Sequence, residues 1–256
     1  MTWNEDSGTV SRSFDDWKGS DGENRAFLRL SAQWSDKAYR QAWDDAQESF
    51  AARLDPDRHY GDEHVDMFDD AVDGLWPTAY AWITEASVVK NAVTAFEVYL
   101  EKALHEAVGK TIGPDGHKHT VRLATPQHLE SPTWATLVTA HKILGTTVNT
   151  DEVKWARNLR HLLTHQNGEL RTEDALTQFR DVDAERDKEE IDRAYVGGKV
   201  SLGVPRVLKI LDSLAEVTRA ADVPVWGLCW DRTGHPHWGE IVTKLHQQKC
   251  VVFEPV

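Results

Sequence analysis

Residues 78–108 read TAYAWITEASVVKNAVTAFEVYLEKALHEAV. Trp82, Ala86, Val89, Val93, Phe96, Leu100, Leu104 and Ala107 recur every three or four residues, while Lys90, Glu97, Glu101, Lys102 and Glu106 mostly fall off that stripe. At 3.6 residues per turn the apolar set shares one face, so the stretch predicts a long amphipathic helix. Gly109 suits the left-handed residue that closes such a helix, because it carries no Cβ. A helix of this length needs other apolar faces to pack against. Strands and helices do not alternate regularly along the chain, which argues against a parallel α/β sheet and for an all-α fold.

On the N-terminal side, residues 1–24 are polar and rich in Gly, Ser and Asp, and are expected to fray despite Trp3 and Trp17. Ser35 is expected to cap a helix to about Leu54, carrying Tyr39, Trp43, Ala46 and Phe50, with Asp55-Pro56-Asp57 as its stop. A short helix is expected over about Glu63–Leu75, before a kink or restart at Trp76-Pro77. On the C-terminal side, a glycine turn at Gly113-Pro114-Asp115-Gly116 precedes His117-Lys118-His119, read as a solvated loop, with a loop that contacts RNA as the alternative. Ser131-Pro132 opens a helix to about Leu144, followed by Gly145. Asn149-Thr150-Asp151-Glu152 resembles a capping box and opens a helix to Thr164 or His165, halted by Asn167-Gly168. Further helices are expected near 172–195 and 205–221, with a short strand within 197–202. Val223–Trp230 and Cys250–Phe253 are expected to form a small β-hairpin. The chain thus divides into an acidic helical extension (1–76), a helical bundle (77–221) and a tail (222–256).

The chain has 256 residues and a net charge of −13, which speaks against sequence-blind polyanion binding over its whole surface. The charge is uneven. Residues 1–76 carry a net −10, residues 77–171 a net +1 with seven of the twelve histidines, and residues 172–256 a net −4. The middle is therefore the part that would not repel a phosphate backbone. No apolar run reaches the ~20 residues of a membrane span, so no membrane role is expected. Two cysteines and no signal-peptide pattern lead to a cytoplasmic expectation. Cys229, His235, His237 and Cys250 lack zinc-site spacing, and no metal or cofactor is expected. Phosphate-binding glycine loops, serine-hydrolase elbows and zinc-hydrolase motifs are absent. Trp82 and Trp155 lie on core stripes, and packing is also the default for Trp226, Trp230 and Trp238. Glu97 and Glu101 read as a solvated pair.

The chemistry concentrates in Lys154-Trp155-Ala156-Arg157-Asn158-Leu159-Arg160-His161-Leu162-Leu163-Thr164-His165-Gln166-Asn167-Gly168. Helical rotation puts Trp155, Leu159, Leu162 and Leu163 on the core face and Arg157, Arg160, His161 and Thr164 on the far side, with His165 between. Residues four apart are neighbours on a helix, so His161 meets His165. Imidazole exchanges a proton near neutral pH, and guanidinium clamps a phosphate with fixed donors. RNA supplies its own nucleophile, the 2′-hydroxyl, so a base, an acid and a cation suffice for its cleavage without a metal. Arg160 and His165 stand about 140° apart around the helix. They converge at a frayed helix end or across two packed copies of the helix.

Arg160-His161-Leu162-Leu163-Thr164-His165 resembles the signature of the HEPN (higher eukaryote and prokaryote nucleotide-binding) domains: Arg, a polar residue, a short spacer, then His. The Asn167-Gly168 turn and the 78–108 helix, with Phe96-Glu97-Val98-Tyr99-Leu100, are similar to parts of that family. The resemblance covers roughly residues 77–221. It implies a helical bundle, a homodimer whose two motifs form a composite site, and a metal-independent endoribonuclease leaving a 2′,3′-cyclic phosphate. It also implies a bacterial toxin or antiviral-defence effector, with an antitoxin or other regulatory protein as partner. Arg160 would then stabilise the phosphate and His165 act as base or acid. His161 would support both, and Arg157, Asn158 and Asn167 would contact RNA. The alternative is a catalytically inactive HEPN-like module that binds RNA or protein.

Overall fold

The computed structural model describes residues 2–53, 77–112, 118–179, 198–230 and 238–255. The described residues are mostly helical, with a small antiparallel sheet that includes the C-terminal strand. The helices are α1 (Arg12–Arg53), α2 (Pro77–Val108), α3 (Trp134–Ile143), α4 (Asp151–His165), α5 (Glu173–Phe179), α6 (Val204–Trp230) and α7 (Trp238–Gln247). The strands are β1 (Lys110–Ile112), β2 (Lys118–Leu123) and β3 (Val251–Pro255), in the order β1-β2-β3. None of the described helices is long and apolar enough to cross a membrane.

The described chain forms two compact units, each built from non-consecutive stretches. The first comprises Met1–Glu23, Lys90–Gly168 and Lys209–Val256, and the second Asn24–Val89 and Glu169–Leu208. In the first unit, Phe96, Leu100 and Leu104 of α2 are buried together with Leu159 of α4, Leu211 and Leu214 of α6, and Leu245 of α7. His141 of α3 is fully buried, and its Nε2 donates to the Leu100 carbonyl over 3.1 Å. Burial holds that imidazole down to about 4, against the opposing pull of the hydrogen bond, so it is a neutral packing group.

Residues 2–24 do not fray. Ser11 caps α1, its hydroxyl accepting from the Phe14 amide at 3.0 Å and donating to the Asp222 carboxylate. Glu106 of α2 accepts from the amides of Arg12 (3.0 Å) and Ser13 (2.9 Å), which satisfies two more orphan donors of the first turn. Phe14 and Trp17 are buried, and Phe14 packs edge-on to Tyr99. Asp222 also takes Trp3 Nε1 at 2.7 Å, the Ser11 amide at 3.0 Å and the Tyr99 hydroxyl at 3.2 Å. Burial raises the Asp222 carboxyl despite those donors. Burial first, and then the nearby Asp222 charge, pushes Tyr99 far up, so it stays a phenol donor. Partners in α2 and α6 thus order an N-terminus whose local composition reads as loose. Helix α1 runs on from Arg12 to Arg53, so Ser35 is a position within it rather than a cap.

In the second unit, Trp82 Nε1 donates to the Val200 carbonyl at 2.8 Å, and the Lys199 ammonium lies 4.4 Å from the Trp82 ring centroid. The strand expected near 197–202 is reduced to a single bridge between Glu169 and Lys199. The helix expected over 172–195 is described as far as Phe179, as α5. The helix expected over 63–75 and the glycine turn at 113–116 lie outside the described residues.

Several helix ends follow local chemistry. Gly109 has a φ of 43° and its amide closes on His105, as a left-handed cap requires. Thr150 caps α4 through the Val153 amide. On α3 the cap is Thr133, two residues after Ser131, because its hydroxyl reaches the Thr136 amide at 3.2 Å. Val223–Trp230 continues α6 through Pro224 instead of forming a strand. The partner of β3 is β2, with Arg122 opposite Val252 and Leu123 opposite Val251. Lys118 and His119 therefore belong to a strand, not a loop.

Candidate functional site

Helix α4 is held by a buried stripe of Val153, Ala156, Leu159, Leu162 and Leu163. Trp155, expected on that stripe, is only half-buried at its margin, and Val153 and Ala156 take the core positions. A second anchor comes from Arg157, whose Nε donates to Glu97 Oε1 of α2 at 2.7 Å. The same guanidinium stacks 3.7 Å from the ring centroid of Trp134 at the start of α3. Glu97 is therefore an anchor for α4 and not a solvated partner of Glu101. The sequence carries no sign of this, because the two charges are separated by sixty positions.

The opposite face of α4 carries chemistry without packing. His161 and His165 are both exposed, and their ring centroids lie 4.5 Å apart at 46° between planes. Arg160, half-buried and one position before His161, makes no hydrogen bond or ion pair among the described residues. Its planar fork of donors therefore stays available to an anion. Asn158 is exposed one position before Leu159. Beyond the helix, Asn167 (φ 51°) and Gly168 (φ 76°) take left-handed conformations, and the Gly168 amide closes on the Leu162 carbonyl at 3.2 Å. That turn ends the helix immediately after His165 and leaves the Asn167 side chain exposed.

Five of the six predicted residues, Asn158, Arg160, His161, His165 and Asn167, thus lie on or next to an accessible surface around the end of one helix. The sixth, Arg157, is committed to Glu97 and Trp134. Two touching imidazoles can divide the labour of base and acid. The Arg160 guanidinium, about 140° around the helix from His165, can bind a phosphate. The face is open, and a single helix does not surround a phosphate.

Among the described residues, no three His, Cys, Asp or Glu side chains stand close enough to hold a metal ion. Cys229 is half-buried in α6 and Cys250 is buried, while His235 and His237 lie outside the described residues. Comparison with protein-family models, curated proteins and solved structures gives no match to this chain.

Proposed function

We propose that this protein is a metal-independent endoribonuclease of the HEPN type, working in the cytoplasm as a toxin or antiviral-defence effector. The observation that carries the reading is the contact between His161 and His165 on an exposed helix face, with Arg160, one position before His161, free of hydrogen bonds and ion pairs among the described residues. Surface side chains of this kind contribute little to stability, so their chemistry is free for a ligand.

In the reaction, one imidazole takes the proton of an RNA 2′-hydroxyl as its oxygen attacks the adjacent phosphorus. The bond from phosphorus to the 5′-oxygen then breaks. That oxygen leaves with a proton from the acid, and the phosphate closes to a 2′,3′-cyclic ester. Arg160 holds the charge that builds on the phosphorane, His165 is base or acid, and His161 supports them. The openness of the α4 face supports a homodimer in which a second copy completes the site. An antitoxin or other regulatory protein that covers this face would keep the activity in check.

The test is cleavage of a mixed RNA in EDTA, wild type beside His165→Ala, with end-group analysis of the products. Wild type is expected to leave cyclic phosphates, and the variant to lose about 10²–10⁴-fold in rate. A folded wild type that cuts no RNA would overturn the reading, as would a variant that cuts equally well.

A further inference from the structure

We infer that the outer face of α1 between Arg25 and Arg40 seats a single strand of RNA; this rests on the ribonuclease reading, which supplies the class of ligand. This part of α1 belongs to the second unit, where Leu28 and Ser31 are buried and mark the face turned to the protein. Phe27, Leu30 and Trp34 follow one another at intervals of three and four, so they form one row along the helix. The row is open to solvent, with the three side chains 47%, 54% and 72% exposed. Neither aromatic ring has a ring, cation or hydrogen-bond contact among the described residues. That sets Trp34 apart from the tryptophans the fold uses. Trp17 packs on Phe14 and Tyr99, Trp82 carries the Lys199 ammonium, and Trp134 carries the Arg157 guanidinium.

The charge around the row has the sign that a phosphate backbone needs. Residues 24–42 hold Arg25, Arg29, Lys37 and Arg40 against one carboxylate, Asp36, a net of +3 inside an N-terminal region of net −10. Asp36 is taken by Arg40 at 2.6 Å. Arg29 and Lys37 are exposed and have no hydrogen bond or ion pair among the described residues. By helical rotation Lys37 falls within about 60° of Trp34, at the end of the row, and Arg29 stands about 100° from Leu30, along its flank. Most of the surrounding sequence repels a polyanion, so this local excess decides where on the extension a strand can lie.

Open rings flanked by unpaired cations are what a single strand uses. Each unpaired base offers a π-face to Trp34 or Phe27, while its phosphates reach Arg29 and Lys37, and every base can stack, so the seat is tolerant of sequence. From Phe27 to Trp34 the helix rises ~10 Å, about three nucleotides of a stacked strand. A purely apolar partner would cover the row but leave Arg29 and Lys37 desolvated beside it without compensation. A polyanion with aromatic bases satisfies both.

The experiment is a fluorescence-anisotropy titration of a labelled single-stranded RNA with the full-length His165→Ala protein, so that cleavage does not consume the probe. It is repeated with Trp34→Ala added, with Trp34→Phe added, and with Arg29→Gln and Lys37→Gln added together, at several salt concentrations. Trp34→Ala should weaken binding about 5- to 100-fold, the worth of one stacked base, whereas Trp34→Phe, which keeps a ring, should recover most of that loss. The paired glutamines should lower the slope of log K against log salt by about 1.4, for two lost phosphate contacts. Unchanged binding by Trp34→Ala overturns the inference, as does a parent that binds no RNA. Sedimentation that shows Trp34→Ala splitting a dimer, with RNA binding unchanged, would give the row to a second copy and overturn it too. The two readings fail separately. RNA binding that depends on Trp34, in a wild type that cuts nothing, leaves the seat standing and removes the enzyme. Cleavage by a wild type whose binding ignores Trp34 does the reverse.

Discussion

Asp222 and the far face of α4 hold ionisable groups in opposite ways. Asp222 is fully buried, and Ser11, Trp3 and Tyr99 all donate to it, so it joins the N-terminal segment, α2 and α6. His161 and His165 lie at the surface and Arg160 is half-buried, and apart from the contact between the two rings they have no hydrogen bond or ion pair among the described residues. The same contrast recurs within one helix, where Arg157 is spent on Glu97 and Trp134 while Arg160, less than one turn away, is not. Burying a charge is costly, so a buried ionisable group persists where partners compensate it. A group without partners at the surface is retained for some other purpose or for none. Residue type does not separate these cases, but partners do.

Three variants probe the contrast, from the largest effect to the smallest. Asp222→Ala should cost about 3 kcal/mol, because it leaves several buried donors unpaired at once. Urea unfolding monitored by tryptophan fluorescence would measure it, and a loss below about 1 kcal/mol would mean the cluster is not what orders the N-terminus. Arg157→Ala should cost about 1–2 kcal/mol through the lost stack and ion pair, whereas Arg160→Ala should stay within about 0.5 kcal/mol. Equal losses for the two arginines would erase the distinction drawn between them.

Glu85 sharpens the rule from the other side. It is buried in α2 without a hydrogen bond or ion pair among the described residues, and burial pushes its carboxyl up to about 7. A carboxyl raised in the folded state binds its proton more tightly there than in the unfolded chain. Its stabilising contribution is full below the unfolded value of 4.5 and is lost as pH rises through about 7. Glu85→Gln should therefore raise the melting temperature above neutrality and do little in acid. A melting temperature equally shifted at both ends would show that Glu85 does not titrate in this window.

Much of the helical framework was legible because its signals are local. The stripe from Trp82 to Ala107, the glycine at 109 and the threonine at 150 each act within a few residues, and α2 and α4 begin and end close to where those signals place them. The Arg160–His165 stretch was legible for the same reason, since four-residue spacing alone brings the imidazoles together. The order in residues 11–24 was not legible, because it depends on Glu106 and Asp222, far along the chain. The strand at 250–253 was legible from its apolar run, but its partner was not, because the pairing joins it to β2, more than a hundred residues away.

The sequence alone therefore determined the helical class, the main amphipathic faces and the candidate residues on α4, since each follows from periodicity and short-range capping. Tertiary structure decided which of those charges are used up. It took Arg157 into the packing and left Arg160, His161 and His165 without hydrogen bonds or ion pairs among the described residues. The physical reason is that desolvation and pairing depend on which distant groups become neighbours, and only the folded chain sets that.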